Sequence, residues 1–480
     1  WPGWLKITSL RCEEIVDQRT EADLKEPAAE SFRDELADIG RSGKGLFKNR
    51  GFRLFSASQG ASLLGDKLGY IALIEMVRAR FPETSSQVLA TVMIVMSLPT
   101  LVFGPFFLML VDRMKRKTVL IISDVVRLAV TIGGPLVIMF VPGVPVYWAL
   151  MIILLIFFTF TFTFNSVRLS IVPDIVRNKE HLHGANSFLN FLNRISVLVG
   201  ITGGSFLVVL PLWEKLGIEG WSSGFFADGL TFAVSAVALL LLRVKSHLLP
   251  ARKQSLGEAT EKISGGFRAM GEVLKFIFRN PVVLAGILSI IQFGVFNTAM
   301  LVLIVPIVQT HLGLGTQGVG ILGLAVGLGF IVGSALYGFF GKRIPKTHLI
   351  FISYGMIGVS MGAVAILPLI GLAQAGRFYI YIYMGVVAFL AGILYHTINT
   401  AHDTLIHEEV PGFIRGRIFS AREWLYNFSL VGTALLLGGT AYLAHPFFLT
   451  GMCGLFFGLT CLVGMIYVWA KIGKDNNGYD

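Results

Sequence analysis

Long apolar stretches, separated by turns too short to hold a domain, constrain the fold of this chain of 480 residues more than any other feature. Each stretch has about 18 residues or more, the length that a helix needs to cross the hydrocarbon core of a bilayer. Lipid tolerates no open sheet edge, so the sequence predicts an all-α membrane protein with twelve transmembrane helices. The predicted spans are residues 52–78, 86–111, 118–141, 146–166, 185–211, 222–243, 281–309, 316–340, 347–371, 376–400, 418–444 and 447–471.

The composition agrees with a membrane protein. Hydrophobic residues make up 54% of the chain and charged residues only 14%, less charge than a soluble chain of this length carries. The net charge of +11 would suit nucleic acid, but the basic residues fall in short loops between spans, so we expect no nucleic-acid partner. The three cysteines, Cys12, Cys453 and Cys461, give neither a disulfide framework nor a metal-ligand pattern.

Two short basic turns indicate the orientation in the membrane. Their sequences are DRMKRK at residues 112–117 and GKRIPK at residues 341–346, each between two apolar spans. Lysine and arginine concentrate on this side of the predicted spans and in residues 244–280, whereas the opposite loops hold only four such residues. By the positive-inside rule, both termini and the central connection are predicted to be cytoplasmic. We expect a multi-pass protein of the plasma membrane or the bacterial inner membrane.

The matching positions of the two turns indicate a duplicated helical protein. We therefore predict two pseudo-symmetric six-helix bundles joined by a cytoplasmic linker. Apolar residues recur at helical spacing over residues 266–277, which favours an interfacial helix in the linker, with a solvated linker as the alternative. The predicted segments are a cytoplasmic tail (1–51), the N-terminal bundle (52–243), the linker (244–280), the C-terminal bundle (281–471) and a second cytoplasmic tail (472–480).

A second sign of duplication follows the fourth and the tenth predicted span. In each half, apolar residues lead to a proline, Pro173 or Pro411, and a short apolar stretch then ends in an arginine, Arg177 or Arg415. Proline breaks a helix because it lacks the backbone N–H and clashes with the preceding turn. The pattern predicts a helix break at the cytoplasmic surface of both halves.

Short motifs recur at the ends of the predicted helices. They are GP (104–105), DRMKRK (112–117), DVVR (124–127), VPD (172–174) with ANS (185–187), DGLTF (228–232), and VP (410–411) with RGR (415–417). In order and placement they resemble the major facilitator superfamily, in particular its branch of drug, macrolide and siderophore exporters. The resemblance covers roughly residues 52–471 and implies two bundles that rock about a central site. Leu108 and Lys115 depart from the residues usual in the loop motif of the superfamily. These departures affect how tightly the helices pack at that turn.

The resemblance also implies gating roles for the loop motif. Asp112 would contact the N-terminus of a helix in the other half, because the positive end of a helix dipole attracts a carboxylate. Arg113 and Arg116 would pair with acids or carbonyls when the cytoplasmic side is closed, and Lys117 belongs to the same candidate set. The alternative is that these charges only fix the topology. Further gate candidates are Arg168, Arg415, Arg417 and Glu423.

A polar stripe marks the first span. Gln59, Ser62, Asp66 and Tyr70 recur at steps of three and four residues and therefore share one helix face. Burying such groups in lipid is costly, so we predict that they line a cavity. Asp66, near mid-depth, is the candidate proton-coupling or cation-binding carboxylate, and a structural pairing with another buried group is the alternative.

Other spans carry polar or aromatic residues that are candidates for the same cavity. Arg194 on the fifth span and Glu423 on the eleventh are also possible partners across the pseudo-symmetry axis. For each candidate the alternative is ordinary helix packing. The candidates are Thr163, Asn190, Arg194, Gln292, Phe296, Tyr395 and Asn399.

The motifs that are missing narrow the expected function. No phosphate-binding loop is found, which argues against transport driven by nucleotide hydrolysis. His396, His402 and His407 do not align on one helix face, so we expect no metal site and no cofactor. Aromatic, charge-poor spans favour an amphiphilic substrate over a sugar phosphate, which would need several buried cations.

We therefore expect a monomeric secondary transporter and not an enzyme. It would export amphiphilic small molecules of the drug, macrolide or siderophore type, with protons as the coupling ion and the lipid bilayer as its surroundings. One alternative is a lysophospholipid transporter of the same superfamily. The other is a membrane sensor or scaffold that transports nothing.

Overall fold

The structure is a computed structural model whose regular structure, within the residues it describes, is entirely helical. It describes residues 45–111, 115–143, 145–168, 171–176, 179–243, 271, 275–341, 343–371, 376–410 and 412–476. Twelve long helices follow one another along these residues. They are α1 (Arg50–Arg80), α2 (Ser85–Val111), α3 (Arg116–Phe140), α4 (Val146–Arg168), α5 (Lys179–Leu207), α6 (Gly220–Leu241), α7 (Pro281–His311), α8 (Gly315–Phe340), α9 (Lys346–Ile366), α10 (Arg377–Glu409), α11 (Gly412–Thr440) and α12 (Pro446–Asn476).

The predicted all-α fold is confirmed, and most helices begin and end within a few residues of the predicted spans. The clearest difference is α10, which was expected to end at residue 400 and continues to Glu409. His402 and Leu405, beyond the apolar run, are buried against neighbouring helices. Packing therefore extends this helix further than hydropathy indicates.

By length and hydropathy, ten of the helices in the described residues are able to cross a membrane. The two others are α1 and α11, whose apolar sequence is interrupted by charged residues. Asp66 and Lys67 do so in α1, and Arg422 and Glu423 in α11. That α1 and α11 also cross the bilayer stays a prediction.

Helix packing repeats between the two halves of the chain. In the first half, α1 packs on α5 and α6, α3 packs on α4 and α6, and α2 packs on α4. The second half repeats these pairs six helices later, as α7 with α11 and α12, α9 with α10 and α12, and α8 with α10. The halves meet through α2–α11 and α5–α8, and the same shift of six exchanges these two pairs. This is the packing of two pseudo-symmetric six-helix bundles.

Each bundle begins with a helix capped by an asparagine. Asn49 accepts hydrogen bonds at 2.8 and 3.3 Å from backbone N–H groups in the first turn of α1. Asn280 accepts two such bonds at 3.2 and 3.3 Å in the first turn of α7. These caps satisfy N–H groups that the first turn of a helix leaves without partners. The repeated cap is a local trace of the duplication.

The predicted helix breaks coincide with helix ends in both halves. α4 ends at Arg168, and Pro173 lies in the first turn of the short helix Val172–Ile175 that follows. α10 ends at Glu409, two residues before Pro411, which itself lies outside the described residues. The tail (1–51) and the linker (244–280) lie mostly outside the described residues, so the domain limits and the interfacial helix stay predictions.

A polar link joins the bundles at the end of the molecule opposite the basic turns. Thr316 at the start of α8 donates a hydrogen bond to Glu75 of α1, and Gln309 of α7 donates one to Thr316 at 2.6 Å. Arg78 forms an ion pair with Glu75, which compensates this buried carboxylate. The link connects the two bundles through side chains that must separate if this side opens.

Gly320 of α8 brings the bundles into close approach on the same side. A Cβ at this position would overlap the side chain of Ser205 on α5. Thr202 Oγ1, one turn earlier on α5, donates to the carbonyl of Gly320 at 3.5 Å. The contact therefore requires glycine.

We expect Gly320→Val to push α5 away from α8 and to favour conformations in which the bundles are apart on this side. Spin labels in the loops after α5 and after α7 would then give longer distances by double electron–electron resonance. Gly385→Val on α10 is the matched control, because nothing lies within 4 Å of a Cβ at that position. Equal distance distributions in the two variants would contradict the assignment.

Candidate functional site

Arg127 on α3 is the centre of a charged cluster inside the N-terminal bundle. Its side chain has 0% exposure and forms an ion pair with Asp124, one turn earlier on the same helix. Nη1 of Arg127 also lies 3.4 Å from Oδ1 of Asp66 on α1. Nη2 donates a hydrogen bond to Ser62 Oγ at 3.2 Å. A buried charge is costly without such partners, and these contacts link α1 to α3 through their side chains.

Two phenylalanine rings cover the guanidinium group of Arg127. Its Cζ atom lies 4.3 Å from the ring centroid of Phe164 on α4 and 4.2 Å from that of Phe232 on α6. The faces of aromatic rings attract cations, and a desolvated contact of this kind contributes about 2 kcal/mol. Four helices of the bundle thus converge on one side chain.

Asp124 is held by a short chain of hydrogen bonds. Ser235 Oγ on α6 donates to Asp124 Oδ2 at 2.6 Å, and the hydroxyl groups of Ser235 and Ser58 lie 2.8 Å apart. Ser235 has a single hydroxyl proton, so Ser58 is the donor in the second bond. Asp124 is 0% exposed, whereas the side chain of Asp66 keeps 20% of its surface exposed. Of these two carboxylates, Asp66 is therefore the one accessible from outside the cluster.

Asp228 on α6 is a third carboxyl group in this region. It has 0% exposure, and neither of its oxygens has a hydrogen-bond partner within the described residues. The side chain lies against Gly65 and Gly69 of α1, where a Cβ would collide with the carboxyl oxygens. Asp228 lies inside α6, and Glu219 is the residue that precedes this helix. Protonation would remove the cost of a buried carboxylate at this position.

Two cavities lie beside α1. The bundle cavity, of about 260 Å³, lies among α1–α4 and α6 and includes Asp66 and Asp228 in its wall. The central cavity, of about 390 Å³, lies between the bundles, among α1, α5 and α7–α10. Lys67 and Tyr70 line both cavities. A short segment of α1 therefore forms a wall that the two cavities share.

Aromatic rings line the C-terminal side of the central cavity. Tyr395 of α10 stacks on Phe330 of α8 with 5.0 Å between ring centroids. Its ring also lies 4.7 Å from Phe293 and 6.2 Å from Phe296, both on α7. Apolar and aromatic walls with few polar groups are typical of sites for drug-sized ligands. The cavity suits a ligand with a large apolar part.

The four residues of the predicted polar stripe of α1 lie in different surroundings in the structure. Asp66 and Tyr70 line cavities, and Ser62 binds Arg127 within the cluster. Gln59 is 2% exposed, and its Nε2 atom has no partner among the described residues. All four residues of the stripe thus face the bundle interior, and two of them reach a cavity.

The remaining cavity candidates separate into two groups. Phe296 and Tyr395 line the central cavity. Five others are not among the residues that line either cavity, namely Thr163, Asn190, Arg194, Gln292 and Asn399. Of these, Thr163 donates a hydrogen bond to a carbonyl of its own helix at 2.8 Å, and Asn399 accepts one from Arg422 at 3.4 Å. For these five residues, substrate contact stays a prediction.

The gate candidates are described only in part. Arg116 pairs with Asp174 of its own bundle at 3.1 Å. Lys117 Nζ donates to the carbonyls of Leu240 and Leu242 at 3.0 and 2.7 Å, where a cation stabilises the end of α6. Asp112 and Arg113, and the side chains of Arg415 and Arg417, lie outside the described residues.

The two other gate candidates lie on α4 and α11. Arg168 is half-buried at the end of α4, and Glu423 is exposed on α11. Next to Glu423, Arg422 forms an ion pair with Asp403 of α10 at 2.6 Å. A pairing of Arg194 with Glu423 stays a prediction, as does gating by this set.

Sequence reasoning missed the most buried charges of the site. Asp124 and Arg127 entered only as a motif, although two opposite charges three residues apart inside an apolar span are a signal of a buried pair. Lys67 was not among the predicted site residues, and on a helix it points about 100° away from Asp66. The structure places both Asp66 and Lys67 at the bundle cavity, since that cavity extends around α1.

Comparison with known proteins identifies the family. Residues 55–431 match the sequence profile of the Major Facilitator Superfamily. The chain belongs to this superfamily and is thus a multi-pass membrane transporter, as its resemblance predicted.

Relatives of known sequence include exporters. An uncharacterized MFS-type transporter, YfiS of Bacillus subtilis, is 24% identical over 441 residues, covering 90% of this chain and 95% of its own. The putative bacilysin exporter BacE of Bacillus subtilis is 26% identical over 418 residues, covering 86% and 94%. Macrolide efflux protein A of Streptococcus pyogenes is 25% identical over 415 residues, covering 84% and 93%.

Solved structures agree on the fold. A bacterial homologue of the iron transporter ferroportin, in its inward-facing state, matches with a TM-score of 0.65 and 14% identity, covering 86% of this chain and 98% of its own. A D-xylose–proton symporter matches with a TM-score of 0.63 and 16% identity, covering 87% and 97%. At these identities the likeness concerns the fold alone.

Proposed function

We propose that this protein is a secondary active exporter of amphiphilic small molecules that couples export to proton entry by alternating access. The observation that carries the proposal is the wall shared by the two cavities. On one side of α1 lies the charged cluster around Arg127, and on the other side lies the aromatic central cavity. A titratable carboxylate and a ligand site thus share one helix, which is the arrangement that coupling requires.

Asp66 is the proposed site of proton exchange. It is partly exposed, lines the bundle cavity and lies 3.4 Å from Arg127. Protonation of Asp66 removes the charge that attracts Arg127, while Asp124 keeps the guanidinium compensated. The contact between α1 and α3 therefore depends on the proton, and α1 also forms part of the central cavity. Proton binding can thereby change the conformation of the ligand site.

Alternating access in this proposal uses the two interfaces α2–α11 and α5–α8 as the surfaces on which the bundles rock. The Glu75–Thr316 link and the Gly320 contact hold one side closed. We assign this side to the exterior and both termini to the cytoplasm, on the basis of the distribution of lysine and arginine. The names of the relatives support export, because a putative bacilysin exporter and a macrolide efflux protein align over most of the chain.

In liposomes with an imposed proton gradient, we expect the purified protein to move bacilysin or a macrolide in the direction opposite to the flow of protons. Accumulation should stop when a protonophore collapses the gradient, since no other energy source is present. Liposomes without protein are the control for passive permeation. Flux that is equal with and without the gradient would contradict antiport and leave a facilitator.

A further inference from the structure

Lys67 is a cation in the wall of both cavities and has no polar partner among the described residues. It lies in the middle of α1, far from either end of this helix of 31 residues. It takes part in no hydrogen bond and no ion pair with any described residue. Its neighbour Asp66 interacts with Arg127, and Arg422 on α11 interacts with Asp403. The membrane interior makes an uncompensated ammonium group costly, so an anionic partner would be stabilising.

We propose that Lys67 binds the carboxylate of an amphiphilic substrate, so that the exported molecules include organic acids or zwitterions with a large apolar part. This inference rests on the proposed transport function and names the substrate class of the central cavity. The apolar part would occupy the aromatic side formed by Phe296, Phe330 and Tyr395. Lys67 faces this group from α1, with Tyr70 beside it.

The chemistry of the cavity favours a singly charged acid over a phosphate. Lysine is a compact point charge, whereas recognition of a phosphate group usually employs arginine forks or several cations. Among the residues that line the central cavity, Lys67 is the single lysine or arginine. The hydroxyls of Tyr70 and Tyr395 supply further donors for carboxylate oxygens. One lysine and two hydroxyl groups are enough to bind a carboxylate.

The position of Lys67 in the wall is set by helix packing. Gly200 of α5 lies against the Cβ of Lys67, so the α1–α5 contact fixes where this side chain leaves its helix. Asp66 precedes it directly and lines the bundle cavity.

The test uses a fluorescent acid and its neutral ester, N-dansylphenylalanine and its methyl ester, with the full chain in nanodiscs. We expect the acid to bind at least about tenfold more tightly than the ester, as for a hydrogen bond between charged groups. Lys67→Gln should remove this preference, and Lys67→Arg should keep it. Lys215→Gln, an exposed lysine between α5 and α6, is the matched control and should behave as the unaltered protein.

A preference for the acid that survives in Lys67→Gln would overturn the inference, and so would equal binding of acid and ester by the unaltered chain. Gradient-driven export of a macrolide distinguishes this failure from failure of the proposed function. If export persists while the acid preference is absent, only the substrate class is wrong. If the acid preference depends on Lys67 but no gradient drives export, the binding site stands and proton coupling fails.

Discussion

Arg127→Leu is expected to destabilise the protein strongly and to abolish transport. The substitution removes the cation that compensates Asp124, which is 0% exposed. Leaving one member of a buried ion pair without its partner costs about 3–5 kcal/mol. It also removes the contacts to the rings of Phe164 and Phe232. The fraction of monodisperse protein after detergent extraction and its thermal unfolding midpoint would measure the effect.

A double variant separates charge compensation from function. Asp124→Asn with Arg127→Gln removes both buried charges, so the folded yield should recover much of the loss, as neutral replacement of buried ion pairs often does. Transport should remain absent, because Asp66 then has no guanidinium to respond to. Arg80→Gln is the matched control for loss of an arginine. Arg80 pairs with Glu219 in a partly exposed position, and such pairs contribute about 0–1 kcal/mol. An Arg127→Leu protein as stable as Arg80→Gln would contradict the central role of the cluster.

The two bundles are alike in packing and different in chemistry. The N-terminal bundle buries Arg127 completely, with its carboxylate partner on the same helix. The comparable pair of the C-terminal bundle, Arg422 with Asp403, is partly exposed, at 12% and 40%. Aromatic rings around Tyr395 take the interior position in that bundle. In the proposed mechanism the N-terminal bundle therefore carries the proton, and the C-terminal bundle supplies most of the apolar surface for the substrate.

The helices could be predicted from the sequence because hydropathy acts residue by residue along the chain. The α1 stripe could also be predicted, since residues three and four apart share a face in any helix. The residues that the stripe contacts could not be predicted. That Asp66 meets Arg127, and not its neighbour Lys67, depends on how α1 and α3 are placed relative to one another. The packing of two helices depends on many side chains at once, and it cannot be predicted from a single sequence by inspection.

Cavities were the least predictable part of the site. Tyr70 was expected to line one cavity and lines two, because α1 is the wall between them. Asp228 entered the sequence analysis only within a motif, and in the structure it lies against Gly65 and Gly69 of α1. Both outcomes depend on the close approach of α1 to α6. Glycine marks such an approach in a sequence, but it does not say which helix comes near.

Asp66→Asn is expected to abolish gradient-driven export and to leave the fold intact. The amide is nearly isosteric with the carboxyl group and has the charge of the protonated acid, and Asp124 still compensates Arg127. Binding of a macrolide, measured by its effect on the thermal unfolding midpoint, should survive, because a ligand of the folded state raises apparent stability. Counterflow exchange of labelled for unlabelled substrate should persist as well, since it needs no net movement of protons.

Substitutions of two other carboxylates, Glu219 and Asp228, test whether the result is specific to Asp66. Glu219→Gln is the matched control, because Glu219 lies outside both cavities, is partly exposed and pairs with Arg80. It should export like the unaltered protein. Asp228→Asn tests the other carboxyl group of the bundle cavity, which has no hydrogen-bond partner among the described residues. If Asp66→Asn still exports fully under a proton gradient and Asp228→Asn does not, the proton is carried by Asp228. Asp66 would then be a structural partner of Arg127, whose charge holds α1 in place.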